Sequence, residues 1–244
     1  MRTLAAVLLA GCASFAAQPL FAADAIPVYH PPVIYPDADD GLAGSFYLRG
    51  SVGGNLLWGR DGNHPSIPTT FTTDEFGYGY SFGAGVGYET GDGWRADITV
   101  DRLVSNGMQA TITGAPPLLD GEYDLDLRST IALANVYYDF GLGYGGLSAA
   151  GGLFGYVGAG IGVAYNDYIL TRGPAGSAPD TPGSNVSLAA AGMVGAGYDF
   201  GSVVADLGYR ALYINRIENT NTAAPYSITH NLAHELRASV RYRF

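Results

Sequence analysis

The sequence predicts an all-β protein: an eight-stranded antiparallel transmembrane up-and-down β-barrel with short periplasmic turns and long extracellular loops. Three observations predict it. Eight segments alternate apolar and polar side chains with the period of two expected of a strand between lipid and lumen. The connections alternate in length along the whole chain, long then short. The last segment, Leu236–Phe244, stops in mid-strand on an aromatic residue, whereas the ends of soluble chains normally fray into solvent.

The N-terminus, Met1-Arg-Thr-Leu-Ala-Ala-Val-Leu-Leu-Ala10, reads as a charged and then an apolar region of a signal peptide over residues 1–23. Small residues place cleavage after Ala22, Ala23 or Ala25. Gln18 and Pro19 interrupt the apolar run too early for a spanning helix of about 20 residues. Leu9-Ala-Gly-Cys12 offers a competing lipobox reading in which Cys12 would carry lipid; the short apolar stretch before it weighs against this. Residues 24–43 follow as a periplasmic linker, and the four prolines between Ile26 and Asp40 favour an extended tether over a ladder.

The barrel is expected over residues 44–244. Its strands read as Ser45–Leu56, Phe76–Thr90, Trp94–Val104, Tyr123–Phe140, Leu153–Asn166, Ser187–Phe200, Val203–Asn215 and Ala233–Phe244. Most reach the 9–11 residues (roughly) that a tilted strand needs to cross a bilayer. Gly91–Gly93, a Gly-rich stretch around 141–152 and Gly201-Ser202 are the short connections. Leu57–Glu75, Ser105–Glu122, Asp167–Val186 and Arg216–Leu232 are the long ones. An even strand count places both termini in the periplasm.

Charge sets the facing. In Trp94–Asp101, the residues Trp94, Ala96, Ile98 and Val100 alternate with Arg95, Asp97, Thr99 and Asp101. An Arg facing lipid at mid-bilayer costs about 2–4 kcal/mol, so the charged set should face inward. Extended to every strand, this gives a lumen of Arg49, Glu89, Arg95, Asp97, Asp101, Asp206, Arg210, Glu235, Arg237 and Arg241. Five Arg meet five carboxylates, and they should pair as an ionic plug, because an eight-strand barrel is filled by its own side chains. Inward glycines of the Gly83–Tyr88, Gly158–Val163 and Val194–Tyr198 segments should make room for large opposing side chains. In Tyr123–Phe140, the residues Tyr123, Leu125, Leu127, Ile131 and Leu133 suggest the outer face, which also carries Asn135 and sets Asp139 at the rim.

Composition narrows the function. The 244 residues carry a net charge of −10, and all twelve cationic residues are Arg. An acidic chain without Lys speaks against nucleic acid, which needs basic patches. Asp120, Glu122, Asp124 and Asp126 form an acidic stripe, but alternate strand residues stand about 6.6 Å apart, too far for one Ca²⁺. Gly141-Leu-Gly-Tyr-Gly-Gly146 has dinucleotide-site spacing, yet no helix or acid follows where one is needed. Of His30, His64, His230 and His234, only His234, near Ser227 or Ser239, offers a weak hydrolytic pair. No cofactor, metal or enzymatic activity is expected.

The pair Tyr242 and Phe244 resembles the assembly signal of Gram-negative outer-membrane barrels, whose assembly machinery reads a C-terminal Phe with an aromatic two residues before it. Phe46–Gly50, Leu133–Phe140, Tyr156–Gly162, Asp206–Arg210 and Val240–Phe244 are similar to small envelope proteins of the alphaproteobacterial porin-family or OmpA-like β-barrel type. That resemblance implies an abundant surface antigen of the cell outer membrane, associated with outer-membrane lipid and lipopolysaccharide and without catalytic residues. The expected function is structural or surface-interacting, with a host or environmental ligand at the outer loops. A narrow channel for small solutes, or a lipid-modifying enzyme, is the alternative.

Overall fold

The computed structural model describes residues 44–64, 67–71, 76–112, 121–142, 151–173, 181–218 and 227–244. The expected signal peptide and linker lie outside them. Nine strands follow one another: β1 (Ser45–His64), β2 (Ile67–Phe71), β3 (Gly77–Glu89), β4 (Trp94–Ile112), β5 (Gly121–Gly141), β6 (Gly152–Gly173), β7 (Thr181–Asp199), β8 (Val203–Glu218) and β9 (Ser227–Arg243). Eight form the barrel in sequence order, each antiparallel to its neighbours, and β1 pairs with β9 to close the ring. The short β2 pairs only with the far end of β1.

Closure is continuous. The β1–β9 ladder runs from Tyr47 opposite Arg243 to Asn63 opposite Ser227. The Phe244 amide donates to the Phe46 carbonyl at 3.1 Å, so the chain's last residue is still held by the first strand. Both ends of the barrel chain therefore lie at the end that carries the tight turns Thr90–Gly93 and Phe200–Ser202. In the first turn the Thr90 hydroxyl donates to Asp92, which holds that carboxyl below the usual carboxylate range.

The strands outrun the segments read from alternation. Ladders continue into what the sequence suggests are long loops: β1 to His64, β4 to Ile112, β5 back to Gly121 and β6 to Gly173. The β4–β5 ladder shifts register between Ser105 and Met108, where Gly107 takes φ +71°. This bulge absorbs an extra residue and keeps both Ser105 and Met108 on the buried face. One seam stops early. Backbone pairing of β7 with β8 ends at Ala189 opposite Ile214. Beyond it, the Asn185 and Asn166 side-chain amides reach the Arg216 carbonyl at 2.9 and 3.5 Å.

The outside is apolar. Leu48, Val52, Ile98, Val100, Ile161 and Leu207 project outward and are exposed. Aromatic pairs ring the turn end, among them Phe46 with Tyr88 and Trp94 with Tyr138, their ring centroids 5.0 and 5.1 Å apart. Trp58, Tyr78, Tyr80 and Tyr165 project outward nearer the other end. An apolar band between two aromatic girdles is the surface a membrane-spanning barrel presents to lipid.

Candidate functional site: the barrel interior

The inward set on each strand is a consequence of the period of two, and the ring makes residues remote in sequence neighbours. All ten residues read as luminal lie on the inner face. Nine are buried, and Glu89 is half-buried at the turn-end rim. An eleventh joins them. Asp139 is 3% exposed and faces inward, with Asn135 and Tyr137 on the same side. This reverses the expected facing of β5: Leu127, Ile131 and Leu133 point into the lumen, and Val136, Tyr138 and Phe140 point out. Polarity misleads on this strand because its inward residues are themselves half apolar. The girdle gives the correct parity, since Tyr138 and Phe140 belong with Trp94 outside.

The charges form two layers. Nearer the middle, Asp101 on β4 accepts from Arg210 on β8 at 2.7 Å and from Arg237 on β9 at 2.6 Å. Glu235 pairs with Arg210 and stands 3.5 Å from Arg237. Two cations thus face two anions. Closer to the turn end, Arg49 donates to Asp97 at 3.3 Å, Arg95 to Asp139 at 3.0 Å, and Arg241 stands 3.5 Å from Asp139 and 4.0 Å from Asp206. Three cations here face three anions. Arg243 caps the rim between Asp199, at 2.7 Å, and Glu89.

Tyrosines complete the network. Tyr47 donates to Asp97 at 3.1 Å, Tyr156 to Asp206 at 3.2 Å, and Arg49 to the Tyr137 hydroxyl at 2.6 Å. The Arg95 guanidinium lies 3.7 Å from the Tyr137 ring centroid, so its unbonded edges rest on a π-face. Inward glycines give these rings their space. A Cβ on Gly158 would come within 2.3 Å of Tyr137, on Gly87 within 2.4 Å of Tyr47, and on Gly208 within 2.0 Å of the Tyr156 hydroxyl. These tyrosines and Asp139 escaped the reading by charge.

Above the ionic layers, toward the long-loop end, the lumen turns apolar. Leu57, Leu103, Leu127, Ile131, Leu133, Leu212, Ile214 and Ile217 pack together with exposures near zero. Polarity marks only the ionic part of this lumen, because inward Leu and Ile look like lipid-facing ones. Between the two ionic layers, bordered by Arg49, Tyr137, Arg210 and Arg237, remains a cavity of about 10 Å³, room for one water at most.

The remaining candidates do not assemble. His234 sits on the outer face with the Tyr209 hydroxyl as partner, while Ser239 points into the lumen and donates to Asp206 at 2.7 Å. Ser227 is seven residues along the strand, roughly 23 Å away. Asp126 accepts from the Gly107 amide at 3.2 Å and so caps the β4 bulge. Asp120 lies outside the described residues, as do positions 143–146 of the Gly-rich motif; the side chains of Glu122 and His64 do too. Among the described residues no His, Cys, Asp or Glu cluster is arranged for a metal ion.

No protein-family model matches the chain. It is 32% identical to uncharacterized proteins of Brucella abortus (strain 2308) and Brucella suis biovar 1, in each case over 75% of this chain and 72% of the relative. Among solved structures it is similar to Neisserial surface protein A, with a TM-score of 0.49 and 22% identity, covering 82% of this chain and 97% of that one. It is also similar to the outer membrane protein OprG from Pseudomonas aeruginosa, with a TM-score of 0.47 and 16% identity over 83% and 97%.

Proposed function

The chain belongs to the family of these uncharacterized Brucella proteins, and we propose that it is an integral outer-membrane β-barrel with a structural and surface-interaction role and a sealed lumen. One observation carries the reading: a closed ring whose outside is apolar holds an inside filled by its own side chains but for one water-sized cavity, ionic below and aliphatic above. The apolar band suits lipid, and the filled lumen suits a scaffold better than a channel. The turn end, which holds Ser45 and Phe244, faces the periplasm in this reading, and the opposite ends of β1, β4, β5 and β6 carry the surface that meets the environment. Tyr242 and Phe244 serve as the signal read by the barrel assembly machinery, and lipopolysaccharide surrounds the outer rim.

The test is fractionation with gel migration. The protein should be recovered with outer membranes and migrate faster unboiled than boiled, and planar bilayers containing it should show no stable conductance. Recovery as a soluble periplasmic protein sinks the membrane assignment; steady single-channel steps sink the sealed lumen and revive the channel reading. Deleting Phe244 should lower the amount inserted several-fold in cells without preventing refolding in detergent.

A further inference from the structure

Cationic side chains interrupt the outer wall where β4 meets β5: Arg128 of β5 is exposed on it, and Arg102 of β4 lies two rungs closer to the turn end. Arg102 follows the inward Asp101 on β4, so it projects outward, beside Phe82 of β3 and opposite Thr130 of β5. It donates to the Thr130 hydroxyl at 2.7 Å and meets no carboxylate among the described residues. The luminal guanidiniums, by contrast, all have acidic partners.

Its depth is informative. Arg102 stands eight positions after Trp94, which belongs to the turn-end girdle. At about 3.3 Å per residue and a tilt of about 40°, it sits roughly 20 Å above that girdle, near the far edge of an apolar band about 25 Å tall. There a lipid-facing Arg costs about 0–1 kcal/mol instead of the midplane penalty, and its head reaches the level of outer-leaflet headgroups.

Below Arg102 the wall is hollowed. Gly50 and Ala84 make the floor of an outward groove, bounded by Leu48, Val52, Phe82 and Val240, with a volume of about 1380 Å³. A Cβ on Gly50 would touch nothing within 4 Å. In a bilayer only lipid or a second barrel can fill such a groove. Two copies meeting there about a two-fold axis would bring two Arg102 cations together without a counter-charge, which favours lipid. A phosphate offers the planar guanidinium paired acceptors.

We propose that this groove is a binding site for one phosphorylated lipid of the outer leaflet. An acyl chain lies over Gly50 and Ala84, and the phosphate oxygens accept from Arg102, which Thr130 orients. The inference rests on the membrane-barrel reading above.

The test reconstitutes the chain in phosphatidylcholine vesicles doped with a bisphosphorylated glycolipid, extracts it into mild detergent and weighs it by native mass spectrometry. One glycolipid should stay bound per barrel. Arg102→Gln and Gly50→Leu should each lower its retention at least tenfold, while Arg216→Gln, an exposed site paired with Glu218, should leave it unchanged. Millimolar inorganic phosphate should not displace it. Unchanged retention in both variants, equal retention of the dephosphorylated glycolipid, or a barrel dimer abolished by Gly50→Leu would each overturn the proposal. Loss of heat-modifiable migration in the wild-type chain would overturn the membrane reading and this site with it, whereas insertion with unselective lipid retention overturns this site alone.

Discussion

Asp101 and Arg210 join hands across the full diameter of the barrel. Their strands, β4 and β8, are four places apart in a ring of eight, yet carboxylate and guanidinium stand 2.7 Å apart. A lumen narrow enough for this contact is closed by it. Removing one partner of a buried pair costs about 3–5 kcal/mol, because the other charge stays buried. Arg210→Met should lower stability by about that much in urea unfolding of the reconstituted barrel. Adding Glu235→Gln, which removes the orphaned charge nearest Arg210, should restore at least half. A loss below about 1 kcal/mol would show that water already solvates the quartet.

The tyrosine-facing glycines should tolerate nothing larger. Gly158→Ala puts a methyl 2.3 Å from Tyr137, and overpacking of this kind costs about 1–3 kcal/mol. Gly192→Ala is the matched control, since a Cβ there meets nothing within 4 Å; it should change stability by less than about 0.5 kcal/mol. The difference between the two midpoints is the measurement.

The apolar storey should seal the lumen independently of the ionic one. With Arg210→Gln and Arg237→Gln combined, planar bilayers should still show no stable conductance, because Leu103, Leu127, Leu212 and Ile214 remain packed above. Steady openings in that variant would place the seal in the charges instead.

The β7–β8 seam should be the first part of the wall to open. Above Ala189 it is held by side-chain amides instead of a ladder. Hydrogen exchange over residues 183–188 should therefore be faster than over the β5–β6 ladder at the same height, and Asn185→Ala should speed it about five- to tenfold, the effect of losing a hydrogen bond of about 1 kcal/mol. Equal rates before and after the substitution would remove Asn185 from that role.

How much of this is legible in the residues depends on what each face meets. Where lipid lies outside and charge inside, as from Trp94 to Asp101, polarity alone gives strand, facing and partner type. On β5 the lumen presents Leu127, Ile131 and Leu133, so both faces are apolar, polarity stops marking the inside, and Asp139 reads as a rim residue although it is buried in the lumen. Strand ends were cut short at residues such as Leu56 and Val104 because a wall standing clear of lipid has no need of an apolar outer face. Hydrogen bonds sustain it there, and they leave little trace in the side chains. Arg102 leaves no mark in the alternation because an outward charge near the edge of the apolar band costs too little to disturb the pattern around it.

The closing strand has a consequence for how the barrel is completed. Strands β1 to β8 bring Arg49, Arg95 and Arg210 to the interior and its rim, against Glu89, Asp97, Asp101, Asp139, Asp199 and Asp206. Strand β9 cuts that deficit from three to one, through Arg237, Arg241 and Arg243 less its own Glu235. A chain stalled before its last strand holds a cluster of unneutralised carboxylates that repel one another and retain water. The interior therefore comes closest to neutrality only once β9 is paired, so the ring's last seam is also the one that relieves most of its internal repulsion.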